Sequence, residues 1–419
     1  MNQLKQHAEN YPKAFTVFVK WFAASIVIGV IMGLVCSLFA HGMQFVTHQF
    51  QTYSWLIFLL PLGGILIVTM YKILEPEYKS GTNLILKSIQ SDTNVPLRIT
   101  PLIILSTLIT HLFGGSAGRE GAALQIGGSI GDFLAKILHI NPKDRKVFIM
   151  CGMSAAFSAL FGTPVAAAIF ALEVTTIGIF HYSALFPSIF SSVIAGQIAS
   201  RLGVGAERFH IGDIPDFNLY HGIRIMLIVI ICTEIGVLFC LFLHKVEETF
   251  KTKFKNEYIR ILVSASIIII LTLLVGNRDY NGAGINIIEN CLHGNCFSLA
   301  FLLKILFTAI TLSGGFKGGE IVPSLAIGAS SGFLMASIFN MSPGISVACG
   351  MIAVFCSVTN CPIASLLIGL EMFGFDGLNY FMITVAIAYL LSGYHSLYHT
   401  QKFAVAKTEN TLLDLSDEE

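Results

Sequence analysis

The sequence predicts an all-α polytopic membrane protein, and composition is the first reason. Of its 419 residues, 54% are hydrophobic and 12% are charged, whereas a soluble globular chain carries about 25% charged residues. The apolar excess, with a mean hydropathy of +0.75, extends along nearly the whole chain. Because lipid satisfies no backbone hydrogen bonds and the segments lack the alternating pattern of a β-barrel, we expect them to be helices. A soluble enzyme, a disordered protein and a single-span receptor are excluded.

The apolar segments are of two kinds. About 20 apolar residues cross a bilayer, and the clear candidates are 21–45, 54–74, 99–113, 183–202, 222–244, 259–275, 298–312 and 377–393. Shorter segments, each interrupted by Gly, Pro or a charged residue, occupy 119–138, 144–160, 163–178, 321–340, 344–358 and 361–374. Short interrupted segments in matching places of two halves are typical of a transporter's binding site.

An internal repeat relates the two halves. The tripeptide Cys151–Met153 recurs as Cys349–Met351, an offset of 198 residues. The same offset relates Pro164 to Pro362 and Glu173 to Glu371, and an offset of 201 relates Gly118 to Gly319 and Gly127 to Gly328. Packing of small residues between helices would favour glycine, but it would not place proline and glutamate in register as well.

The repeat and the charges together predict the domain organisation. Residues 1–20 are polar and basic, which favours a cytoplasmic N-terminal segment without a cleavable signal peptide. The first transmembrane repeat is expected at 21–204 and the second at 205–400. Residues 401–419 are then a short C-terminal tail with no regulatory domain. The net charge of zero cannot supply the basic surface that a nucleic-acid-binding protein needs.

The densest polar feature is the glycine loop Gly114–Gly121, which closes one apolar segment and opens another. Glycines bring backbone amides close to a ligand. A helix that begins at Arg119 would direct free N–H groups and the positive end of its dipole at this loop, which makes an anion site. Glu120 could occupy that site as a tethered anion, because a carboxylate at membrane depth indicates function. The alternative is an interfacial Arg–Glu pair that closes a helix.

A repeat-related loop, Ser313–Pro323, has the same composition, with glycines followed by a helix start and a proline. Two half-helix N-termini directed at one site would bind an anion without a full buried positive charge. Lys79–Asn83 and Tyr394–Tyr398 supply further neutral donors. Each of these two segments alone could instead be a helix cap or an interfacial belt.

Three elements together resemble the CLC family of chloride channels and proton-coupled transporters. They are Gly118-Arg119-Glu120-Gly121, the Gly-Gly-x-x-x-Pro element at Gly318–Pro323, and the late Tyr398. The resemblance covers roughly residues 20–400 and implies the CLC-type fold, with two inverted-topology repeats built from broken and re-entrant helices. It also implies a homodimer with one pore per subunit in a bacterial inner membrane.

The glycine loops and the resemblance give a predicted site with two central glutamates. Glu120 is the expected external gating and proton-coupling residue, and Glu320 is the second glutamate. The expected anion-binding residues are Ser80, Gly81, Asn83, Gly118, Arg119, Gly121, Gly319, Ile321, Val322 and Tyr398. No metal and no cofactor is expected.

Departures from the family pattern favour one branch. The family's Gly-Ser-Gly-Ile-Pro filter is Lys79–Asn83 here, with Asn83 in place of the proline. Val174 stands where chloride/proton exchangers carry an inner proton-relaying glutamate, while the core motif gains Glu320. These features resemble the bacterial fluoride/proton antiporters, which export fluoride that enters cells as HF.

Fluoride suits the predicted donors. It is small and strongly hydrated, so its site must supply several hydrogen bonds, as Asn83, Tyr398 and paired amides could. Glu320 cannot favour an anion while it is ionised, so we expect it to be neutral when fluoride passes, donating a hydrogen bond or shuttling the proton. Glu120 would compete with fluoride for the amides when charged and swing away when protonated, which couples the two fluxes.

A chloride/proton exchanger or a chloride channel on the same fold is the alternative, and anion selectivity separates it from a fluoride antiporter. An intramembrane enzyme would need a nucleophile–base pair or a metal set, and no HExxH or paired-Asp motif occurs. If the protein were only a structural scaffold, the free-energy cost of placing glutamates within the membrane would have no explanation. We therefore expect a transport protein whose partners are fluoride or chloride, protons and the lipid bilayer.

Overall fold

The computed structural model describes residues 2–74, 81–91, 93–409 and 411–413, and the predicted all-α fold is confirmed. The helices are α1 (Asn2–Thr52), α2 (Leu60–Leu74), α3 (Thr82–Gln90), α4 (Ile99–Leu112), α5 (Glu120–Ile137), α6 (Pro142–Phe161), α7 (Pro164–Glu173), α8 (Leu185–Arg201), α9 (Leu219–Lys253), α10 (Glu257–Val275), α11 (Ile285–Leu292), α12 (Ala300–Gly314), α13 (Ile321–Ile338), α14 (Pro343–Thr359), α15 (Pro362–Phe373) and α16 (Leu378–Leu391). Two short strands, β1 (Thr176–Ile177) and β2 (Lys402–Phe403), pair in parallel. The 3-10 segments Ser54–Leu59 and Tyr182–Ala184 precede α2 and α8.

Among the described residues, six segments are long and apolar enough to cross a membrane. They are Ala14–Thr52, Ser54–Leu74, Tyr182–Arg201, Leu219–Lys253, Glu257–Val275 and Ile321–Ile338. Three predicted spans, 99–113, 298–312 and 377–393, instead form helices of 14, 15 and 14 residues. At about 1.5 Å per residue, each extends about 21–23 Å and is too short to cross a hydrocarbon core of about 30 Å alone.

The N-terminal residues belong to the first long helix. Because α1 begins at Asn2, residues 2–20 continue into the first membrane span without a break. Lys20 of α1 pairs with Asp144 of α6, with 2.5 Å between Nζ and Oδ2. The start of α1 is therefore held against the start of α6.

The two halves pack their helices in the same way. In the first half, a Cβ built at Gly127 of α5 would lie 2.2 Å from the carbonyl oxygen of Gly152 of α6. In the second half, a Cβ built at Gly328 of α13 would lie 2.4 Å from the carbonyl oxygen of Gly350 of α14. Any side chain would overlap the facing backbone, so glycine is required at both contacts. The repeat seen in the sequence thus corresponds to two closely packed helix pairs.

Each half also caps a helix of the other half. The carboxylate of Glu173, at the end of α7, accepts hydrogen bonds from two first-turn amides of α15 at 3.2 and 2.9 Å. The carboxylate of Glu371, in α15, accepts hydrogen bonds from two first-turn amides of α7 at 3.1 and 2.8 Å. The donors are Ile363 and Ala364 for Glu173, and Val165 and Ala166 for Glu371. A carboxylate satisfies the free amides and the positive dipole end of a helix start, so this exchange ties the halves together.

Contacts between the ends of the long helices define two sides of the molecule. The guanidinium of Arg278, just after α10, donates to the carbonyls of Phe50 and Gln51 near the end of α1. Lys72, near the end of α2, pairs with Glu257 at the start of α10, with 3.9 Å between Nζ and Oε2. We call these two ends the Arg278 side and the Lys72 side.

Candidate functional site

The two glycine loops meet at a pair of backbone hydrogen bonds. The N–H of Gly118 donates to the Gly319 carbonyl at 2.7 Å, and the N–H of Gly319 donates to the Gly118 carbonyl at 2.8 Å. We call this contact the glycine bridge. It brings the starts of α5 and α13, each with free amides, next to each other.

Glu120 is the first residue of α5 and is fully buried beside the glycine bridge. Its Oε1 accepts a hydrogen bond from the backbone N–H of Arg119 at 3.1 Å. Its Oε2 has no hydrogen-bond partner among the described residues. This oxygen lies so close to the bridge that a Cβ at Gly118 would be 2.1 Å from it, and a Cβ at Gly319 would be 2.6 Å from it. A buried carboxylate oxygen without a donor is costly, so stability alone does not explain this placement.

A cavity of about 650 Å³ connects Glu120 with the Arg278 side. Its lining includes Glu120, Val322 and, nearer solvent, Arg278. We call it the Glu120 cavity. Because Glu120 is fully buried, it forms the closed end of this cavity, next to the glycine bridge.

The side chain of Arg119 is engaged in an ion pair. Its Nη2 lies 2.6 Å from Oε1 of Glu207 and 3.0 Å from the carbonyl oxygen of Leu160. Its guanidinium also lies over the ring of Phe161, 5.6 Å from the centroid. Arg119 was predicted among the anion-binding residues. Its guanidinium pairs with Glu207, its backbone N–H contacts Glu120, and Arg119 and Glu207 both line the Glu120 cavity.

A second cavity, of about 150 Å³, lies on the other side of the glycine bridge. It is lined by Glu320, the residue that precedes α13, and we call it the Glu320 cavity. It shares Asn83 and Lys317 with an adjoining cavity of about 600 Å³, whose lining includes Glu257 on the Lys72 side. The two central glutamates therefore face cavities that lead to opposite sides of the molecule.

Asn83 is oriented so that its amide group is available as a donor in the Glu320 cavity. Its Oδ1 accepts hydrogen bonds from the backbone N–H of Thr400 at 3.3 Å and from the Thr400 hydroxyl at 3.1 Å. Because a backbone N–H can only donate, the side-chain oxygen must face Thr400. The Nδ2 group then points away from Thr400, and a neutral N–H₂ group suits an anion.

The structure divides the predicted residues between the bridge and the two cavities. Gly118, Gly121 and Gly319 form the bridge region, where a Cβ at Gly121 would lie 3.0 Å from the Gly318 carbonyl oxygen. Val322 lines the Glu120 cavity, and Ile321 is buried in the core. Gly81, Asn83, Glu320 and Tyr398 line the Glu320 cavity. Ser80, like Lys79, lies outside the described residues.

Two charged residues near the site were not found from the sequence, the partly buried Glu207 and the fully buried Lys304. Glu207 gave no signal, because it lies in a loop whose contact with Arg119 depends on the fold. Lys304 is fully buried in α12, and its Nζ donates to Ser116 Oγ at 3.0 Å and to the carbonyls of Tyr280 and Gly282 at 3.2 and 2.7 Å. It joins the segment after α10 to the first glycine loop. A lysine inside an otherwise apolar segment is a signal that could have identified it.

Comparisons with known proteins agree with the fold. The family model described as voltage gated chloride channel matches residues 63–393. A curated relative, a chloride/fluoride channel protein of Pseudomonas syringae pv. tomato, is 32% identical over 400 residues, which cover 94% of this chain and 88% of the relative.

Solved structures extend this comparison. A CLC-type fluoride/proton antiporter is 33% identical, with a TM-score of 0.89 that covers 92% of this chain and 98% of that chain. A slow cyanobacterial Cl⁻/H⁺ antiporter is 21% identical, with a TM-score of 0.77 over 89% and 94% of the two chains, and it supports the fold alone. The predicted CLC-type fold is therefore confirmed. The chain belongs to the voltage gated chloride channel family, whose members are membrane transporters and channels rather than enzymes.

Proposed function

We propose that this chain is an antiporter that exports fluoride in exchange for protons across the inner membrane of a bacterium. The observation that carries the proposal is the pair of glutamates on either side of the glycine bridge, with Glu120 in one cavity and Glu320 in the other. Similarity to a fluoride/proton antiporter and to a chloride/fluoride channel protein supports it. By resemblance to the family, the protein would be a homodimer with one pathway per subunit.

In this proposal Glu120 is the gate. While ionised, its carboxylate occupies the amides at the start of α5 that a free anion would otherwise contact. Once protonated, it loses most of its attraction to those amides and leaves the glycine bridge toward the Glu120 cavity. The unpartnered Oε2 supports this role, because no donor among the described residues holds that oxygen in place. When Glu120 is protonated, its carboxyl group leaves these amides and a fluoride ion takes its place there.

The Glu320 cavity would receive fluoride from the Lys72 side. Fluoride gives up its water only where several hydrogen-bond donors replace it. Asn83 offers its Nδ2 group, Tyr398 its hydroxyl, and a protonated Glu320 its carboxyl O–H. A neutral Glu320 would donate to the ion, whereas an ionised Glu320 would repel it, so proton occupancy and fluoride occupancy are coupled.

The Lys72 side is proposed to be cytoplasmic. The adjoining cavity of about 600 Å³, which we call the basic cavity, is lined by Lys87, Lys251, Arg260 and Lys317 as well as acidic groups. The positive-inside rule places lysine-rich helix ends in the cytoplasm. A mostly basic vestibule also raises the local concentration of an anion, which suits a protein that collects fluoride from the cell.

A chloride/proton exchanger or chloride channel of the same fold is the alternative. Val174, at the position where such exchangers would carry an inner proton-relaying glutamate, is fully buried and apolar. Its neighbour Glu173 is engaged with the first-turn amides of α15. Neither side chain therefore offers a free proton site, which favours Glu320 as the inner proton site and favours the fluoride branch.

The test is transport by the purified protein in liposomes, with a fluoride electrode and a pH probe. In the wild type, a fluoride gradient should drive proton movement, and a chloride gradient should drive little. Glu120→Gln keeps the size of the side chain but cannot ionise, so it should abolish fluoride-driven proton movement. Glu289→Gln, the same substitution at an exposed residue of α11, is the matched control and should leave coupling intact. Retained stoichiometric coupling in Glu120→Gln, or chloride flux equal to fluoride flux, would contradict the proposal.

A further inference from the structure

Two histidines stack beside the Glu320 cavity. His244 of α9 and His399, which follows α16, have ring centroids 4.0 Å apart and an angle of 28° between their ring planes. His399 Nε2 lies 3.3 Å from Oε2 of Glu247, and Glu247 Oε1 lies 2.6 Å from Nζ of Lys251. We call His244, Glu247 and His399 the histidine cluster.

The histidine cluster extends from solvent to the interior. The side chain of His399 is 53% exposed and that of Glu247 is 31% exposed. Nε2 of His244, in contrast, is buried without a hydrogen-bond partner among the described residues. All three side chains line the Glu320 cavity together with Glu320 itself. The cluster therefore joins the cavity that holds Glu320 to the solution on the Lys72 side.

The proposed function requires a proton step at this place. A proton carried by Glu320 must reach the solution on the Lys72 side, and Val174 supplies no titratable group for that step. An imidazole gains and loses its proton between about pH 5 and pH 8. A histidine that touches both the cavity and solvent therefore has the chemistry that this step needs.

We propose that the histidine cluster is the proton-transfer site between Glu320 and the solution on the Lys72 side. The proposal rests on the proton coupling proposed above. The carboxylate of Glu247 accepts a hydrogen bond from Nε2–H of His399, which fixes the tautomer and leaves Nδ1 of His399 as the proton acceptor.

The step conserves protons. The carboxyl group of Glu320 releases its proton to water in the polar cavity, which at about 150 Å³ has room for several water molecules. Nδ1 of His399 takes a proton from that water, and the resulting imidazolium is stabilised by the carboxylate of Glu247. The imidazolium then gives a proton to bulk water. Glu320 is left ionised and His399 is again neutral, so one proton has moved and no other group has changed.

The stack limits the cluster to one proton at a time. Two imidazolium rings with centroids 4.0 Å apart would repel each other. A proton on His399 therefore keeps His244 neutral, which fits the buried and unpartnered nitrogen of His244. His244 acts as a positioning residue that holds the His399 ring against α9.

Glu247 is the anionic partner of His399 in a mostly basic vestibule. Besides the histidine cluster and Glu320, the charged and titratable groups that face this region are Tyr71 of α2, Lys87 of α3, Lys251 of α9, Glu257 and Arg260 of α10, Lys317 after α12, and His395 and Tyr398 of the same segment as His399. Most of the charged groups are cations, which disfavour an added positive charge. The carboxylate of Glu247 contacts both Lys251 and His399.

The test measures fluoride-driven proton movement in liposomes over a series of pH values set equally on both sides. His399→Ala should lower the proton rate by about tenfold or more and remove one inflection from the rate–pH curve. Glu247→Gln keeps the ring but removes its anionic partner, so the inflection should move to lower pH. His293→Ala, at an exposed histidine just after α11, is the matched control and should match the wild type.

The outcomes separate the two proposals. A wild type that moves no protons with fluoride would overturn the proposed function itself. A coupled wild type whose rate and pH profile are unchanged by His399→Ala and Glu247→Gln would overturn the proton-transfer site alone. A merely structural stack would slow transport in His399→Ala without moving the inflection in Glu247→Gln, and that result also overturns the proposal. If His399→Ala fails to fold, the inflection of Glu247→Gln decides.

Discussion

The two glycine loops have the same backbone arrangement and carry different side chains on it. Arg119 and Glu320 occupy the same position, immediately before the first residue of α5 and of α13. Glu120 and Ile321 occupy the next position, at the first residue of each helix. The first loop thus has a base followed by an acid, and the second has an acid followed by an apolar residue.

The equivalent residues also differ in their surroundings. Glu120 is buried against the glycine bridge with an unpartnered oxygen, whereas Ile321 packs into the core. Arg119 is held by Glu207, whereas Glu320 lines its cavity and has no salt bridge among the described residues. The repeat therefore supplies a symmetric scaffold, while its chemistry comes from the positions at which the two copies differ.

The largest effect is expected from a substitution in the shared part of the scaffold. In Gly319→Ala, the new Cβ would lie 2.5 Å from the Gly121 nitrogen and 2.6 Å from Oε2 of Glu120. The backbone cannot move away without breaking the bridge, so fluoride and proton transport should both fall to background in liposomes. Gly205→Ala, where no atom lies within 4 Å of the added Cβ, should transport normally. Substantial transport by Gly319→Ala would show that the bridge is not a required contact.

The next-largest effect tests the difference between Arg119, which precedes α5, and Glu320, which precedes α13. Glu207→Gln leaves the Arg119 guanidinium partly buried without its partner, which should lower the free energy of unfolding in detergent by on the order of 2 kcal/mol. The double variant Arg119→Gln/Glu207→Gln should recover part of this loss, because both charges are removed. Glu320→Gln should change stability little and impair transport strongly. Equal loss of stability in Glu207→Gln and Glu320→Gln would show that Glu320 contributes to stability as much as the Arg119–Glu207 pair does.

A smaller effect tests the exchange of helix caps. Glu173→Gln and Glu371→Gln each remove the negative charge and one of the two acceptor oxygens, so one of the two capped amides loses its partner. Each substitution should lower the free energy of unfolding by about 1–2 kcal/mol. Glu173 is more deeply buried than Glu371, so Glu173→Gln should be the more damaging of the two. Thermal unfolding of both variants measures the order. The reverse order would mean that burial does not set the strength of these caps.

The smallest effect concerns the orientation of Asn83. Thr400→Val removes the hydroxyl donor but keeps the backbone N–H that also faces Asn83 Oδ1. The loss of one hydrogen bond should cost about 1 kcal/mol or less, and fluoride flux should stay within about a factor of two. Asn83→Ala removes the donor itself and should slow fluoride transport much more. Equal fluxes in the two variants would show that the Asn83 amide does not contact the ion.

Much of the fold could be predicted from the sequence, because lipid forces apolar segments into helices and the repeat fixed the correspondence of the halves. Glu120 and Glu320 were recognisable for the same reason, since a carboxylate next to glycines in an apolar segment is conspicuous. The partners of charged residues were not predictable. The pairing of Arg119 with Glu207 depends on the path of the chain between α8 and α9. The helices α3 and α11 are amphipathic, but at 9 and 8 residues they are too short to be recognised as membrane segments.

The exchange of caps between Glu173 and Glu371 has a consequence for biosynthesis. Val165 and Glu371 are separated by 206 residues. The helix α7 therefore enters the membrane well before the ribosome has made Glu371, which accepts the hydrogen bonds of its first-turn amides. Glu173 likewise waits for the amides of α15. Until then the nascent first half holds free amides and a carboxylate within the bilayer. We therefore expect an isolated first half to be recognised by quality-control proteases, and co-expression of the second half as a separate chain to protect it.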